Sequence, residues 1–213
     1  VANPEGVVWV FGVATVPDSS GNECMVGHFT RRKGLGEEYE HGMMLYNEER
    51  DVFEVKATLP LSDRWRYLHA QPLRVEADGK AYLYSGSPLL NVRVPATLDA
   101  VMDAKQYEAW TAFAAGAHPE KAEPLRDANG APQWAWRNAP PTDPKHEARW
   151  LKAGLIKPEH ARFLPEDAGQ PGKRVILHSG TVRWNPHRKR WVAIAVEFNY
   201  TEKKYPSPLG EVW

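Results

Sequence analysis

The stretch from His28 to His41, HFTRRKGLGEEYEH, crowds imidazole, guanidinium and carboxylate groups together. Such groups can transfer protons, hydrogen-bond sugar hydroxyls and pair with a sugar carboxylate. His28, Arg32, Glu40 and His41 are the candidates it offers, whereas Glu37 and Glu38 read as a charge run in solvent. His69, in HAQP, opens a strand, a place from which an imidazole can point into a cavity. Arg93, His178 and Arg183 extend the set of binding candidates, and Trp184 offers a ring face for stacking. His187 falls in a turn and reads as solvent-facing. Near the other end of the chain, Glu211 follows Gly210, whose missing side chain lets a ligand approach the backbone. Strand alternation puts Glu211 and Trp213 on one face and Val212 on the other. Glu40 and Glu211 are the carboxylates chosen for catalysis, one as acid and the other as base or nucleophile. Cleavage of a glycosidic bond would need them about 5–9.5 Å apart.

Other chemistries lack their signatures. There is no G-x-G-x-x-G, no Walker loop, no H-E-x-x-H and no G-x-S-x-G elbow. No two of His28, His41, His69 and His178 have the i, i+2 or i, i+4 spacing of a local metal motif, so neither a metal nor another cofactor is expected. Lys+Arg and Asp+Glu both number 27, which leaves no cationic excess for a phosphate backbone, and nucleic acid is not expected as a partner. No run reaches the ~18 apolar residues of a membrane span, so no membrane partner is expected either. Cys24 is the single cysteine. It cannot form an intramolecular disulfide and leaves the compartment open, a secreted or periplasmic one being the working expectation. Nine Trp and eight Tyr suit sheet packing, and also surfaces where an apolar ring meets a sugar.

The elements that must hold these residues are mostly strands. Gly6 and Pro17 bound an apolar, β-branched run that reads as a buried strand, and a second strand covers Cys24 to Thr30. Then comes a hairpin whose form recurs. Gly42, Tyr46, Asn47, Arg50 and Phe53 match Gly180, Trp184, Asn185, Arg188 and Trp191, 138 residues further on. A propeller blade runs about 40–50 residues, so the offset is roughly three blades. The four strands up to Pro60 would make one such blade. Asp78-Gly79 marks another hairpin, with Tyr82 and Tyr84 on one face, and 90–94 a short strand. Residues 98–113 have a helical stripe interrupted by Lys105, with Thr97 as N-cap. Residues 118–172 hold nine of the 18 prolines and read as an insertion in a single 1–213 domain. Within it Asp143-Pro144 opens a short helix closed by Gly154.

The segments LHSGTVRWNPHRKRWVAIAVEF and SPLGEVW, with EHGMMLYNEERDVFEV and YEAWTAF, resemble a group of bacterial proteins common in planctomycetes. Those proteins are similar to the five-bladed β-propellers of arabinanase, β-xylosidase and invertase-type glycosidases. The resemblance implies an all-β, five-bladed propeller that continues past L-G-E-V-W. A closed ring would then need missing C-terminal blades or a partner chain. It also implies carbohydrate as the ligand and glycoside hydrolysis as the activity. Propeller glycosidases carry an Asp on an inner strand of the first blade, and residues 6–16 contain none. A non-catalytic carbohydrate-binding or interaction propeller is therefore the alternative expectation.

Overall fold

The β-branched valines and the aromatic residues near the start of the chain favour extension and form strand β1 (Val7–Pro17). It is mostly half-buried or exposed and not the buried strand expected, with only Gly12 and Val16 buried. It leads an antiparallel meander, β1-β2-β3-β4, with β2 at Glu23–Arg32, β3 at Glu38–Asn47 and β4 at Val52–Leu59. This computed structural model describes residues 6–34 and 36–197. The two central strands are covered on both faces: Val26 through Arg31 and His41 through Met44 are all buried. Val26, Phe29, Met43 and Met44 are the apolar centre. Asp18 sets the β1–β2 turn, its Oδ1 accepting from the amides of Ser20 and Asn22 at 2.9 and 2.8 Å.

Two irregularities shape the meander. The β1–β2 register slips between Phe11 and Ala14, and Gly12 there has φ +58°. A Cβ at Gly12 would lie 2.3 Å from the carbonyl oxygen of Leu68, so only glycine lets segment 67–70 lie against β1. Its amide donates to Ala70 O at 3.0 Å. The second bulge, at Tyr39, shifts the β2–β3 register so that Arg31 faces Glu40 and Arg32 faces Glu38.

Further along, β5 (Leu73–Ala77), β6 (Lys80–Ser85) and β7 (Val92–Pro95) form a second antiparallel meander. Asp78 and Gly79 turn the first pair with φ +53° and +72°, the two positive values of a type I′ turn. The helical stripe expected over 98–113 holds only at its start. Helix α1 covers Leu98–Met102, Thr97 makes no side-chain cap, and a single 3₁₀ turn follows at Ala104–Gln106. Asp103 ends the helix by accepting the Lys105 amide at 2.9 Å. The buried Tyr107 hydroxyl then donates to Val101 O. From Glu108 to Thr111 the chain is strand β8, alternating half-buried and buried, because the apolar spacing has changed to a period of two.

The chain divides into two compact units. One contains residues up to Gly86 with Val92–Glu108; the other contains Ser87–Asn91 and the chain from Ala109 on. In the second, β8 pairs with β9 (Ala135–Arg137). Helix α2 (Pro144–Lys152) has Asp143 as N-cap, its carboxylate accepting from the His146 amide at 2.8 Å. Gly154 follows the helix with φ +66°. Trp150, on the inner face of α2, is buried with Ala112, Phe113 and Ile156, and its Nε1 donates to Ala122 O. Glu147, also buried, accepts the amides of Arg162 and Phe163 at 2.7 Å each and so ties the following loop to the helix. Burial pushes its carboxyl upward against those hydrogen bonds.

The last pair is β10 (Leu177–Asn185) and β11 (Arg190–Glu197). It repeats the β3–β4 hairpin closely. Tyr46 faces Phe53 and Trp184 faces Trp191 in register. The side-chain oxygens of Asn47 and Asn185 accept the amides of Arg50 and Arg188 at 3.0 and 2.9 Å. Asp51 and Lys189 take φ +52° and +48° at the same place in each turn. The ring pairs sit 5.3 and 5.6 Å apart at 62° and 66°. Strands dominate and the pairings are antiparallel, an all-β fold; no closed sheet occurs among the described residues. Among them, too, no helix is long and apolar enough to cross a membrane.

Candidate functional site

Cross-strand partners in an antiparallel sheet share a face, and residues two apart on one strand do too. His28 faces Phe11 and Met43, and Thr30 faces Trp9 and His41. His28, Thr30, Arg32 and His41 therefore line one face of the first meander, beside Trp9 and Phe11. Glu40 is a neighbour of His41 on β3 and pairs with Arg31, so it belongs to the opposite face. Its carboxylate lies 2.7 Å from Arg31 Nε. The Tyr39 bulge leaves Glu38, not Glu40, on the histidine face, where it bonds Arg32 at 2.8 Å. Glu38 is only 8% exposed, so the expectation of a solvated charge there is corrected: the bulge folds its carboxylate back onto the guanidinium. Arg32 also lies over the Trp9 ring at 4.9 Å.

Segment 67–70, admitted by Gly12, covers this face. Tyr67 stacks on His28 with centroids 3.8 Å apart and planes 10° from parallel. His69 stacks beside Phe11 at 6.1 Å. His41 Nε2 sits 2.9 Å from Pro60 O, and His41 Nδ1 3.2 Å from His28 Nε2. A carbonyl only accepts, so His41 carries its proton on Nε2. With that proton on Nε2, a bare His41 Nδ1 accepts from His28 Nε2–H, a pairing that leaves His28 Nδ1 as a lone pair. Burial, with His41 and His69 alongside, drives the His28 imidazole down to about 3, and burial lowers His69 too. Both are neutral at physiological pH. Burial, and then the Glu38 charge, push the Tyr67 phenol up to about 12, so it stays a neutral donor.

His28 Nδ1, Thr30 Oγ1, Arg32 Nε and His69 Nδ1 are buried without a hydrogen-bond partner among the described residues. All four belong to this face or to the segment over it. Unpartnered buried polar atoms are rare in folded chains, and a cluster of them calls for a reason. His28 and His41 form a fully buried floor, while Trp9, Phe11, Tyr67 and His69 are half-buried around it. Donors, acceptors and ring faces thus occur together, with the Arg32–Glu38 ion pair alongside. No group of three or more His, Cys, Asp or Glu among the described residues is placed to hold a metal ion.

The remaining candidates lie elsewhere. Arg93, in the second meander, donates twice to Glu108 at 2.9 and 3.0 Å and covers the Tyr82 ring at 4.4 Å. His178, Arg183 and Trp184 are on β10 in the second unit. His178 is exposed, Arg183 donates to Val182 O, and Trp184 is 48% exposed. Glu211 lies outside the described residues. Trp9, Phe11, Thr30 and Tyr67 were not singled out from the sequence. Tyr67-Leu68-His69 carries a period-two pattern that pairs a phenol with an imidazole, and that was the available signal. No protein family model, no curated protein and no solved structure matches the chain.

Proposed function

We propose that this protein binds carbohydrate at the histidine face of its first meander, on a β-propeller framework of the five-bladed kind. The observation that carries the reading is the group of four unpartnered buried polar atoms on and over that face. Sugar hydroxyls both donate and accept, and so match imidazole nitrogens, a hydroxyl and a guanidinium N–H through buried water. The half-buried rings of Trp9, Phe11 and Tyr67 supply apolar faces for the C–H side of a pyranose. The matching Asn-turn hairpins support the propeller part of the reading. Binding is favoured over hydrolysis because Glu40 belongs to the opposite face, held by Arg31. Glycoside hydrolysis by Glu40 and Glu211 is the second reading. What favours it is the solvent access of Glu40, about a third exposed, which an attacking or proton-accepting carboxylate requires.

The test is a glycan array with the full chain, followed by titration of the best neutral oligosaccharide into His69→Ala and Tyr67→Ala. Affinity should fall at least about tenfold in each, the cost of one lost hydrogen bond or stacking face in a desolvated site, with melting temperature little changed for His69→Ala. Undiminished binding by both variants would remove this face as the site. Release of chromogenic aglycone by the wild type, abolished in Glu40→Gln, would establish the hydrolytic reading instead.

A further inference from the structure

The two matched hairpins share a backbone and differ in what they expose. In β3–β4 the turn Asn47-Glu48-Glu49-Arg50-Asp51 is acidic, and Asn47, Arg50 and Asp51 bond within the hairpin. Tyr46 donates to Asp51, and Arg50 and Asn47 both bond Glu54 Oε1, at 2.8 and 3.1 Å. Tyr46 and Phe53 are half-buried. In β10–β11 the same positions carry Trp184 and Trp191, 48% and 50% exposed. The turn between them is Asn185-Pro186-His187-Arg188-Lys189-Arg190, exposed from Pro186 to Arg190. No carboxylate occurs anywhere from His178 to Val196. Arg190 Nε turns back to the Arg188 carbonyl at 3.4 Å, which keeps its charge at the tip. Two large rings on one face of the hairpin therefore end in a cluster of three cations with no counter-charge of their own.

We propose that the β10–β11 hairpin is a second binding site, and that its ligand is an acidic polysaccharide carrying uronate or sulfate groups. Charge complementarity sets the sign: guanidinium and ammonium groups at the tip pair with carboxylate or sulfate. The exposed rings set the class. An indole presents a flat apolar face with an N–H at its rim, which suits a sugar ring bearing hydroxyls. The whole chain has no cationic excess, with 27 basic and 27 acidic residues, so the three cations at the tip are a local concentration and not part of an overall basic charge. That favours a few anionic sugar units over a nucleic-acid backbone, which is held by charge spread along many phosphates. This site is independent of the histidine face.

The experiment titrates the full chain with polygalacturonate and with dextran sulfate, using neutral dextran and poly(dT) as the contrasting probes. At least one of the acidic polysaccharides should bind, neutral dextran should not, and affinity should weaken several-fold between about 50 and 300 mM salt. Replacing Arg188, Lys189 and Arg190 together by Gln should reduce affinity at least about tenfold without moving the melting temperature, because these side chains are exposed and the turn is held by Asn185. Trp191→Leu should lower affinity as well, and the Gln triple covers the case in which it unfolds the hairpin. Binding that survives the triple substitution, binding to neither acidic polymer, or equal or tighter binding to poly(dT) would each overturn the proposal. His69→Ala should leave this binding unchanged, which separates the two sites.

Discussion

Acid should loosen this protein through one residue more than any other. His28 is buried between the Tyr67 ring and the sheet, with His41 and His69 beside it and Glu38 the nearby carboxylate facing Tyr67. In the unfolded chain its imidazole takes a proton near the ordinary value of 6.5; in the folded chain it does so only near 3. Its contribution to stability is therefore whole above pH 6.5 and is lost as the pH falls toward 3, where the unfolded chain holds a proton the folded one refuses. Moving from pH 7 to pH 5 should cost about 2 kcal/mol through this group alone. His69 is lowered in the same sense and adds to the effect. His28→Gln provides the control, because a Gln amide can still donate to His41 Nδ1 and does not titrate. Urea unfolding followed by tryptophan fluorescence at pH 7 and pH 5 should show wild type losing about 2 kcal/mol more than the variant over that interval. Equal losses in the two proteins would refute the buried, neutral assignment of His28, whatever their absolute stabilities.

Two further outcomes follow from local geometry. Gly12→Ala should destabilise by roughly 2–3 kcal/mol, since it forces φ +58° on a residue with a Cβ directly against Leu68 O. Gly27→Ala, whose Cβ would find its nearest neighbour at 3.6 Å, should cost about 1 kcal/mol or less. Thermal melts that rank the pair the other way would show that segment 67–70 does not lie on β1. Glu147→Gln keeps one acceptor oxygen for two amides and should cost about 1–3 kcal/mol. Hydrogen exchange should quicken first at Arg162 and Phe163, and unchanged protection there would sink the clamp.

The hairpins were legible in the sequence because their information is local. Asn47 and Asn185 each bond an amide three residues on, and the flanking aromatic pairs meet directly across the ladder. Asp143-Pro144 and Gly154 marked α2 for the same reason: a cap acts within one turn of its own helix. Residues 98–113 misled because five apolar positions fit a helical stripe while Lys105 marked where it stops. Propensity cannot weigh the tertiary gain of burying Tyr107 and then alternating through Ala109 and Thr111. At the site, three of the candidate histidines do converge, though nothing local links His69 to His28. That meeting depends on a bulge at Gly12, which is invisible until strand pairing is known. The placement of Glu38 and Glu40 had the same obstacle. Two residues apart on a regular strand they would share a face, and the extra residue Tyr39 sends them to opposite ones.

The asparagine turns have a bearing on how this surface can change. In each hairpin the backbone is fixed by one side chain at the first turn position and by a residue of positive φ near the last. The side chains between them carry no part of that fixing. Glu48-Glu49 can stand in one turn and Pro186-His187 in the other on the same backbone. Those positions thus behave as an interchangeable cassette, open to substitution at little cost to folding. Diversity of ligand charge can accumulate there while the strands beneath remain under packing constraint. Exchanging Glu48-Glu49 with Pro186-His187 should move two negative charges from one tip to the other without rebuilding the sheet that carries them.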